Sequence, residues 1–185
     1  MKISLETKEK LLSLARLSIK AHLKRENTSE INFSDSLIEE KRGVFVTLKY
    51  KNTLRGCIGT IEPIYELKSA ISNMAVSAAF EDPRFTPLTL QELEKVEIEI
   101  SVLTLPKKIV DPYKIRLGVD GVIVSKNGRK GVFLPQVATE TGWKLEEFMN
   151  HLCRDKAGIK IDEWKTNEVE IKIFQVESFS EHDFR

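Results

Sequence analysis

The segment at residues 54–59 carries the side chains of this sequence that are most typical of a reactive or binding site. It contains the thiol of Cys57, the guanidinium of Arg55 and two glycines, Gly56 and Gly59. On a β-strand, Arg55, Cys57 and Gly59 share one face, because side chains alternate between the two faces. A guanidinium beside a thiol favours the thiolate, which is the nucleophilic form. Cys57 is therefore our candidate catalytic residue, and Arg55, Gly56 and Gly59 are candidate ligand-binding residues.

The same segment also has a purely structural interpretation. The alternation turns Leu54 and Ile58 toward the core, and a buried cysteine usually acts as a small apolar filler. Glycine in a strand often marks a bulge. A later segment of similar pattern has Val132 where Cys57 stands, so a small apolar residue can occupy such a position. Packing and catalysis both stay open here, and the sequence names no general base.

A second candidate site lies at residues 82–85, which read Asp-Pro-Arg-Phe. At the rim of a cleft, Asp82 and Arg84 would bind a ligand, because arginine holds carboxylate or phosphate in a forked contact. As a structural element, the same residues would end a helix and form an internal ion pair. Both interpretations remain open from the sequence.

The other titratable residues form no recognisable site. His151 and Cys153 are about 200° apart around a helix, so they cannot share a ligand. The basic residues Lys126, Arg129 and Lys130 surround a hairpin turn, which is more typical of a solvated tip than of an anion site. We expect no metal site and no cofactor.

The composition narrows the class of protein. The chain has 185 residues, which is enough for one domain over residues 1–185. Its net charge of +1 provides no basic field for nucleic acid. Its two cysteines are typical of reduced thiols in a cytoplasmic protein. No apolar run approaches the roughly 20 residues that cross a bilayer, so we expect no membrane partner.

Hydrophobic periodicity predicts the elements that position these residues. The first half of the chain is predicted to contain a helix capped by Ser4, a hairpin, a helix that ends before Pro83, a capping box and a strand. These elements cover residues 5–24, 44–48 with 54–58, 67–78, 89–92 and 96–102.

The second half repeats this order. A hairpin at residues 121–134 turns at Asn127-Gly128, a helix at 144–157 ends at Gly158, and a strand follows at 169–173. The repetition predicts an α+β fold of two intertwined hairpin-helix-strand units that form one core.

Residues 54–59, Leu-Arg-Gly-Cys-Ile-Gly, resemble the signature of the AMMECR domain family, whose bacterial and archaeal members are called AmmeMemoRadiSam system protein A. The resemblance continues through residues 82–85 with 87–88, 101–104, Gly118 with Gly121, 134–137, 142–143 and 156–158. It implies an α+β fold with the signature segment at a cleft between two lobes. The family has no established biochemical activity.

The resemblance also implies partners. Relatives are encoded or fused beside a Memo-type protein and a radical S-adenosylmethionine protein. This chain is neither of them, because two cysteines cannot supply the three thiolates of such an iron-sulfur cluster and three scattered histidines do not form a metal-binding cluster. One hypothesis is an enzyme acting on a small or modified metabolite through Cys57. The alternative is a non-catalytic ligand-binding or adaptor domain that partners the Memo-type protein.

Overall fold

A computed structural model describes residues 2–27 and 31–184 of the chain. It divides into two compact units. The first unit comprises the chain up to Leu103 together with the segment from Glu177, and the second unit is Thr104–Val176. The chain therefore completes its first unit only after it has passed through the second.

Helices and antiparallel strands make up both units, which confirms the predicted α+β class. The strands are β1 (Val44–Tyr50), β2 (Thr53–Thr60), β3 (Glu97–Leu103), β4 (Lys107–Ile109), β5 (Gly121–Lys126), β6 (Arg129–Phe133), β7 (Glu170–Phe174) and β8 (Val176–Ser180). The α-helices are α1 (Leu5–Lys24), α2 (Leu67–Phe80), α3 (Leu90–Leu93), α4 (Gln136–Thr141) and α5 (Leu145–His151).

The two sheets have corresponding strand orders, β2-β1-β3-β8 and β6-β5-β7-β4. In each, a hairpin forms one side of the sheet, and the strand that follows the helical segment pairs with the first strand of that hairpin. Each sheet thus contains the hairpin-helix-strand order that the sequence predicts, and the strand pairing adds to that prediction. The edge strands β4 and β8 were not predicted. Strand β4 has only three residues, and its apolar and polar residues alternate weakly.

Helix α1 matches the prediction from the sequence. It begins at Leu5 after Ser4, whose Oγ accepts a hydrogen bond from the Thr7 amide at 3.1 Å. Its apolar face, which includes the fully buried Leu11 and Ile19, contributes to the hydrophobic cluster of the first unit.

The C-terminal segment closes the first unit. Phe179 is buried in the apolar cluster of that unit, and the Glu177 carboxylate accepts a hydrogen bond from the Ile3 amide at 3.1 Å. Arg16 of α1 holds the Glu181 carboxylate with two bonds of 2.6 Å. Segments that are far apart in the sequence therefore pack together in the first unit.

The hairpin of β1 and β2 contains a bulge that the sequence did not reveal. Leu48 pairs with Gly56, but Lys49 pairs with Leu54, so Arg55 is an extra residue on β2. The extra residue reverses the alternation. Leu54 is therefore 39% exposed, whereas we had expected it to face the core.

The buried apolar residues form two clusters, one in each unit, where the sequence led us to expect one core. The physical reason is that each sheet has its own helices. In the first unit α1 and α2 supply the cluster, whereas α5 and the segment that follows it supply the second.

The helix predicted over residues 144–157 is not uniform. It is α-helical over Leu145–His151 and π-helical over Leu152–Ala157, and it ends at Gly158 with a left-handed φ of 63°. The predicted end is confirmed, whereas a π-helix replaces the last part of the predicted α-helix.

One glycine in each hairpin lets a strand approach a helix closely. A Cβ on Gly56 would lie 2.2 Å from the Ala78 carbonyl oxygen of α2. A Cβ on Gly131 would lie 2.7 Å from the Ala157 amide nitrogen. The two contacts occur at corresponding places in the two units, which supports a duplication.

The variant Gly56→Ala should lower the free energy of unfolding by about 3 kcal/mol, because the new methyl group overlaps a backbone carbonyl that cannot move freely. Gly142→Ala is a suitable control, since Gly142 has a left-handed φ of 69° but nothing within 4 Å of its Cβ position. It should cost about 1–2 kcal/mol from backbone strain alone. Urea denaturation measures both, and equal losses would contradict the close approach.

Candidate functional site

The strands of the first sheet bring a thiol, a hydroxyl and a carboxylate side by side. Thr47 on β1 pairs with Cys57 on β2 and with Glu99 on β3, so the three side chains lie in one row on one face. We call Cys57, Thr47 and Glu99 the polar row. The neighbouring residues Val46 and Leu48 are fully buried on the opposite face. The polar row is thus on the side of the sheet away from the apolar cluster.

The Cys57 thiol lies in a half-buried position within hydrogen-bond distance of a hydroxyl. Thr47 Oγ1 donates to Cys57 Sγ at 3.2 Å. A hydrogen-bond donor on a sulfur orients it and stabilises negative charge there. This contact gives Cys57 a polar environment that a cysteine acting only as a core filler does not need.

The backbone of Cys57 is bound by two side chains from the turn after α2. Its amide donates to Asp82 Oδ2 at 2.9 Å, and its carbonyl accepts from Arg84 Nη2 at 3.3 Å. Asp82 and Arg84 also pair with each other at 2.7 Å. The structure therefore contains the internal ion pair of the structural interpretation, and it extends that pair to the candidate cysteine.

The Asp82 carboxylate is buried, with 4% of the residue exposed. The hydrogen bond from Arg84 holds its pKa well below the usual range, aided by the Cys57 amide and opposed by burial. Asp82 is therefore charged at any physiological pH.

Arg55 lies elsewhere than we expected from the sequence. Its guanidinium donates to Glu92 at 3.0 and 3.3 Å and to the Thr86 carbonyl at 3.0 Å. The bond from Arg55 lowers the pKa of Glu92 to about 2. The guanidinium that contacts Cys57 is that of Arg84, because the bulge directs Arg55 toward α3.

The two glycines of the signature segment are explained by packing. The Cβ position of Gly56 is blocked by α2, and that of Gly59 lies 2.3 Å from the Phe45 ring. Phe45 is the cross-strand partner of Gly59, an arrangement in which an aromatic ring covers a glycine. These contacts account for Gly56 and Gly59 without a ligand.

Three residues of this site, Thr47, Lys49 and Glu99, were not predicted from the sequence. Lys49 Nζ binds Glu99 at 2.7 Å beside the polar row. Alternation along β1 and β3 placed such residues on the outer face. However, their alignment with Cys57 depends on the bulge at Arg55, which was not evident from the sequence.

The second cysteine is chemically different from the first. Cys153 is fully buried, and burial, together with the negative charge of Glu163, raises the pKa of its thiol to about 11. His151 instead stacks on Trp143 with ring centroids 3.9 Å apart, and its Nδ1 lies 2.7 Å from Asp155. The expected separation of His151 from Cys153 agrees with these environments.

The basic hairpin tip makes internal contacts. Lys126 binds Glu163 at 3.2 Å and Glu168 at 2.6 Å, and Arg129 donates to the Gly158 carbonyl at 2.6 Å. These contacts engage both side chains within the second unit.

Within residues 2–27 and 31–184, no cluster of three or more His, Cys, Asp or Glu residues has a geometry that could hold a metal ion. No helix in the same ranges is long and apolar enough to cross a membrane.

Comparison with known proteins identifies the relationship. The sequence profile of the AMMECR1 family matches residues 12–179, which is most of the chain. The chain belongs to the AMMECR1 family. The resemblance inferred from residues 54–59 is thereby confirmed.

Two sequence relatives and one solved structure illustrate the match. A protein of Methanothermobacter thermautotrophicus is 42% identical over 180 residues, covering 92% of each chain. Protein MK0488 of Methanopyrus kandleri is 44% identical and covers 98% of this chain and 92% of its own. The crystal structure of the uncharacterized protein PH0010 from Pyrococcus horikoshii has a TM-score of 0.81 and 41% identity, covering 98% of this chain and 94% of that one.

The variant Asp82→Asn should lower the free energy of unfolding near neutral pH by about 1–3 kcal/mol, because the Cys57 amide and Arg84 lose a charged acceptor. The pKa of Asp82 is lower in the folded than in the unfolded state. Its contribution is therefore full above the unfolded-state value of about 4 and is lost as the pH falls below it. Denaturation at a series of pH values should show the wild-type advantage shrinking below about pH 4. A constant difference down to pH 2 would contradict this assignment.

Proposed function

We propose that this AMMECR1-family chain is a cytoplasmic enzyme that acts on a small or modified metabolite, with Cys57 as nucleophile or proton donor. The observation that carries the proposal is the bond from Thr47 Oγ1 to the half-buried Cys57 Sγ. A reactive cysteine needs access to its substrate and a polar environment that supports negative charge on sulfur. Both are consistent with the position of Cys57.

The charged residues around Cys57 suit a substrate with an anionic group. The Arg84 side chain is 55% exposed although it binds Asp82 and the Cys57 carbonyl, so part of its guanidinium faces solvent. Arginine binds carboxylate or phosphate in a forked contact. We assign Arg84 to this role in preference to Arg55, whose side chain is 13% exposed and bonded to Glu92.

Alkylation of the native protein by iodoacetamide, read site by site by mass spectrometry, tests the nucleophile. We expect Cys57 to be modified well before Cys153, because Cys153 is buried and its pKa is about 11. Thr47→Val should slow the modification of Cys57 by about 3- to 10-fold, the effect of losing one hydrogen bond. Arg55→Met should change it little, because that guanidinium is bound to Glu92.

If Cys57 reacts only in denaturant, at the same rate as Cys153, a nucleophilic role for Cys57 is ruled out. If Arg55→Met slows the reaction more than Thr47→Val does, the assignment of Thr47 as the group acting on the sulfur is wrong.

A second candidate function is a non-catalytic ligand-binding or adaptor domain, with the Memo-type or radical S-adenosylmethionine protein as a partner. The observation in its favour concerns proton transfer. Within residues 2–27 and 31–184, the group that hydrogen-bonds Cys57 Sγ is the hydroxyl of Thr47. The Glu99 carboxylate of the polar row is bound by Lys49. A binding site needs no general base, whereas a nucleophilic thiol must transfer its proton to an acceptor.

Native mass spectrometry of freshly purified wild type and Cys57→Ala separates the two functions. An enzyme with a covalent intermediate should retain an added mass on Cys57 of the wild type, which persists after denaturation and is absent from Cys57→Ala. A binding domain should retain the same non-covalent mass in both proteins, released on denaturation. The second result would overturn covalent catalysis by Cys57.

A further inference from the structure

Strand β2 lies at the edge of its sheet, so one side of its backbone has no neighbouring strand. The amide and carbonyl of Cys57 are on that side, because they bind Asp82 and Arg84. In an antiparallel pair, residues whose backbone groups point away from the partner strand have their side chains closest together. Cys57 and Thr47 form such a pair, and their 3.2 Å contact depends on this arrangement.

Asp82 and Arg84 supply what a neighbouring strand would supply. The Asp82 carboxylate accepts the Cys57 amide, and the Arg84 guanidinium donates to the Cys57 carbonyl. The carboxylate also accepts from the Arg84 amide at 3.1 Å, Nε at 2.9 Å and Nη2 at 2.7 Å. Its side chain is 2% exposed, so these bonds are shielded from water. The pair is therefore a fixed partner for one residue of β2.

The pair is also attached to the helix that packs on β2. Asp82 follows the end of α2, where the Glu81 amide binds the Ser77 carbonyl at 2.8 Å, and the Phe85 amide binds the Asp82 carbonyl at 3.1 Å. Since Gly56 lies against Ala78 of the same helix, α2 fixes both the strand and the pair that holds it.

The second unit provides an internal comparison. Gly131 approaches Ala157 as Gly56 approaches Ala78. Val132 follows Gly131 as Cys57 follows Gly56. The shared strand-helix packing therefore occurs without a cysteine at this position.

We infer that Asp82 and Arg84 are positioning residues: they occupy the free edge of β2 at Cys57 and thereby hold its thiol against Thr47. This inference rests on the proposed function for its catalytic meaning. In this role, Asp82 binds the backbone of the strand that carries the nucleophile. Arg84 binds the same backbone, and the exposed part of its guanidinium binds the substrate. The hydrogen bond between Thr47 and Cys57 then exists only while the Asp82 carboxylate is in place.

The experiment combines amide hydrogen exchange by NMR with iodoacetamide alkylation, on wild type, Asp82→Asn, Thr47→Val and the double variant. The Cys57 amide should exchange about tenfold faster or more in Asp82→Asn, relative to the Val46 amide of the neighbouring strand. Thr47→Val should slow alkylation of Cys57 in the wild-type background and have little further effect in Asp82→Asn, because the contact is already lost.

Asp120→Asn is the matched control. Asp120 is 1% exposed and pairs with Arg116 at 2.8 Å in the second unit, so its replacement removes a comparable buried carboxylate. It should leave both the Cys57 amide and the effect of Thr47→Val unchanged.

Unchanged relative exchange at Cys57 in Asp82→Asn would overturn the inference, as would an undiminished effect of Thr47→Val in that background. The failure of the proposed function would give a different result. Wild-type Cys57 would then resist alkylation, while its amide would still lose protection in Asp82→Asn.

Discussion

The contact of Gly56 with α2 determines the geometry of the candidate site. A Cβ at this position would lie 2.2 Å from the Ala78 carbonyl, so Gly56 must face the helix with no side chain between them. With Gly56 directed inward, Cys57 must point to the opposite face, because successive residues of a strand alternate. The bulge at Arg55 accommodates this arrangement, since the turn of the hairpin alone would align β2 with β1 differently. The row of Cys57, Thr47 and Glu99 follows from these constraints.

Much of the fold could be predicted because its signals are local. Ser4 caps α1, residues 89–92 form a capping box, and Asn127 and Gly128 form a tight turn, and each of these features depends on neighbouring residues alone. The bulge and the π-helical turn at Leu152–Ala157 are different. Each departs from the regular hydrogen-bond pattern of its own element, and the residue types there do not signal it.

The candidate site was predicted in part for the same reason. Residue types singled out Cys57 and the pair of Asp82 and Arg84 as separate candidates, and the binding of the Cys57 backbone by that pair was not predicted. To predict that Arg55 binds Glu92 and that Cys57 contacts Thr47, the register of the hairpin had to be known. A single-residue shift in register exchanges every neighbour on a strand, and alternation alone cannot locate that shift.

The return of the chain to its first unit affects the order in which the protein can fold as it leaves the ribosome. The second unit is one continuous segment, Thr104–Val176, and all of it emerges before the last residues of the first. Until then the first unit lacks β8, the buried Phe179 and the Glu181 carboxylate that binds Arg16. Its sheet therefore has an uncovered edge at β3 during synthesis, and such edges can pair with other nascent chains. The nascent first unit thus keeps a sheet edge open to such pairing until β8 has left the ribosome.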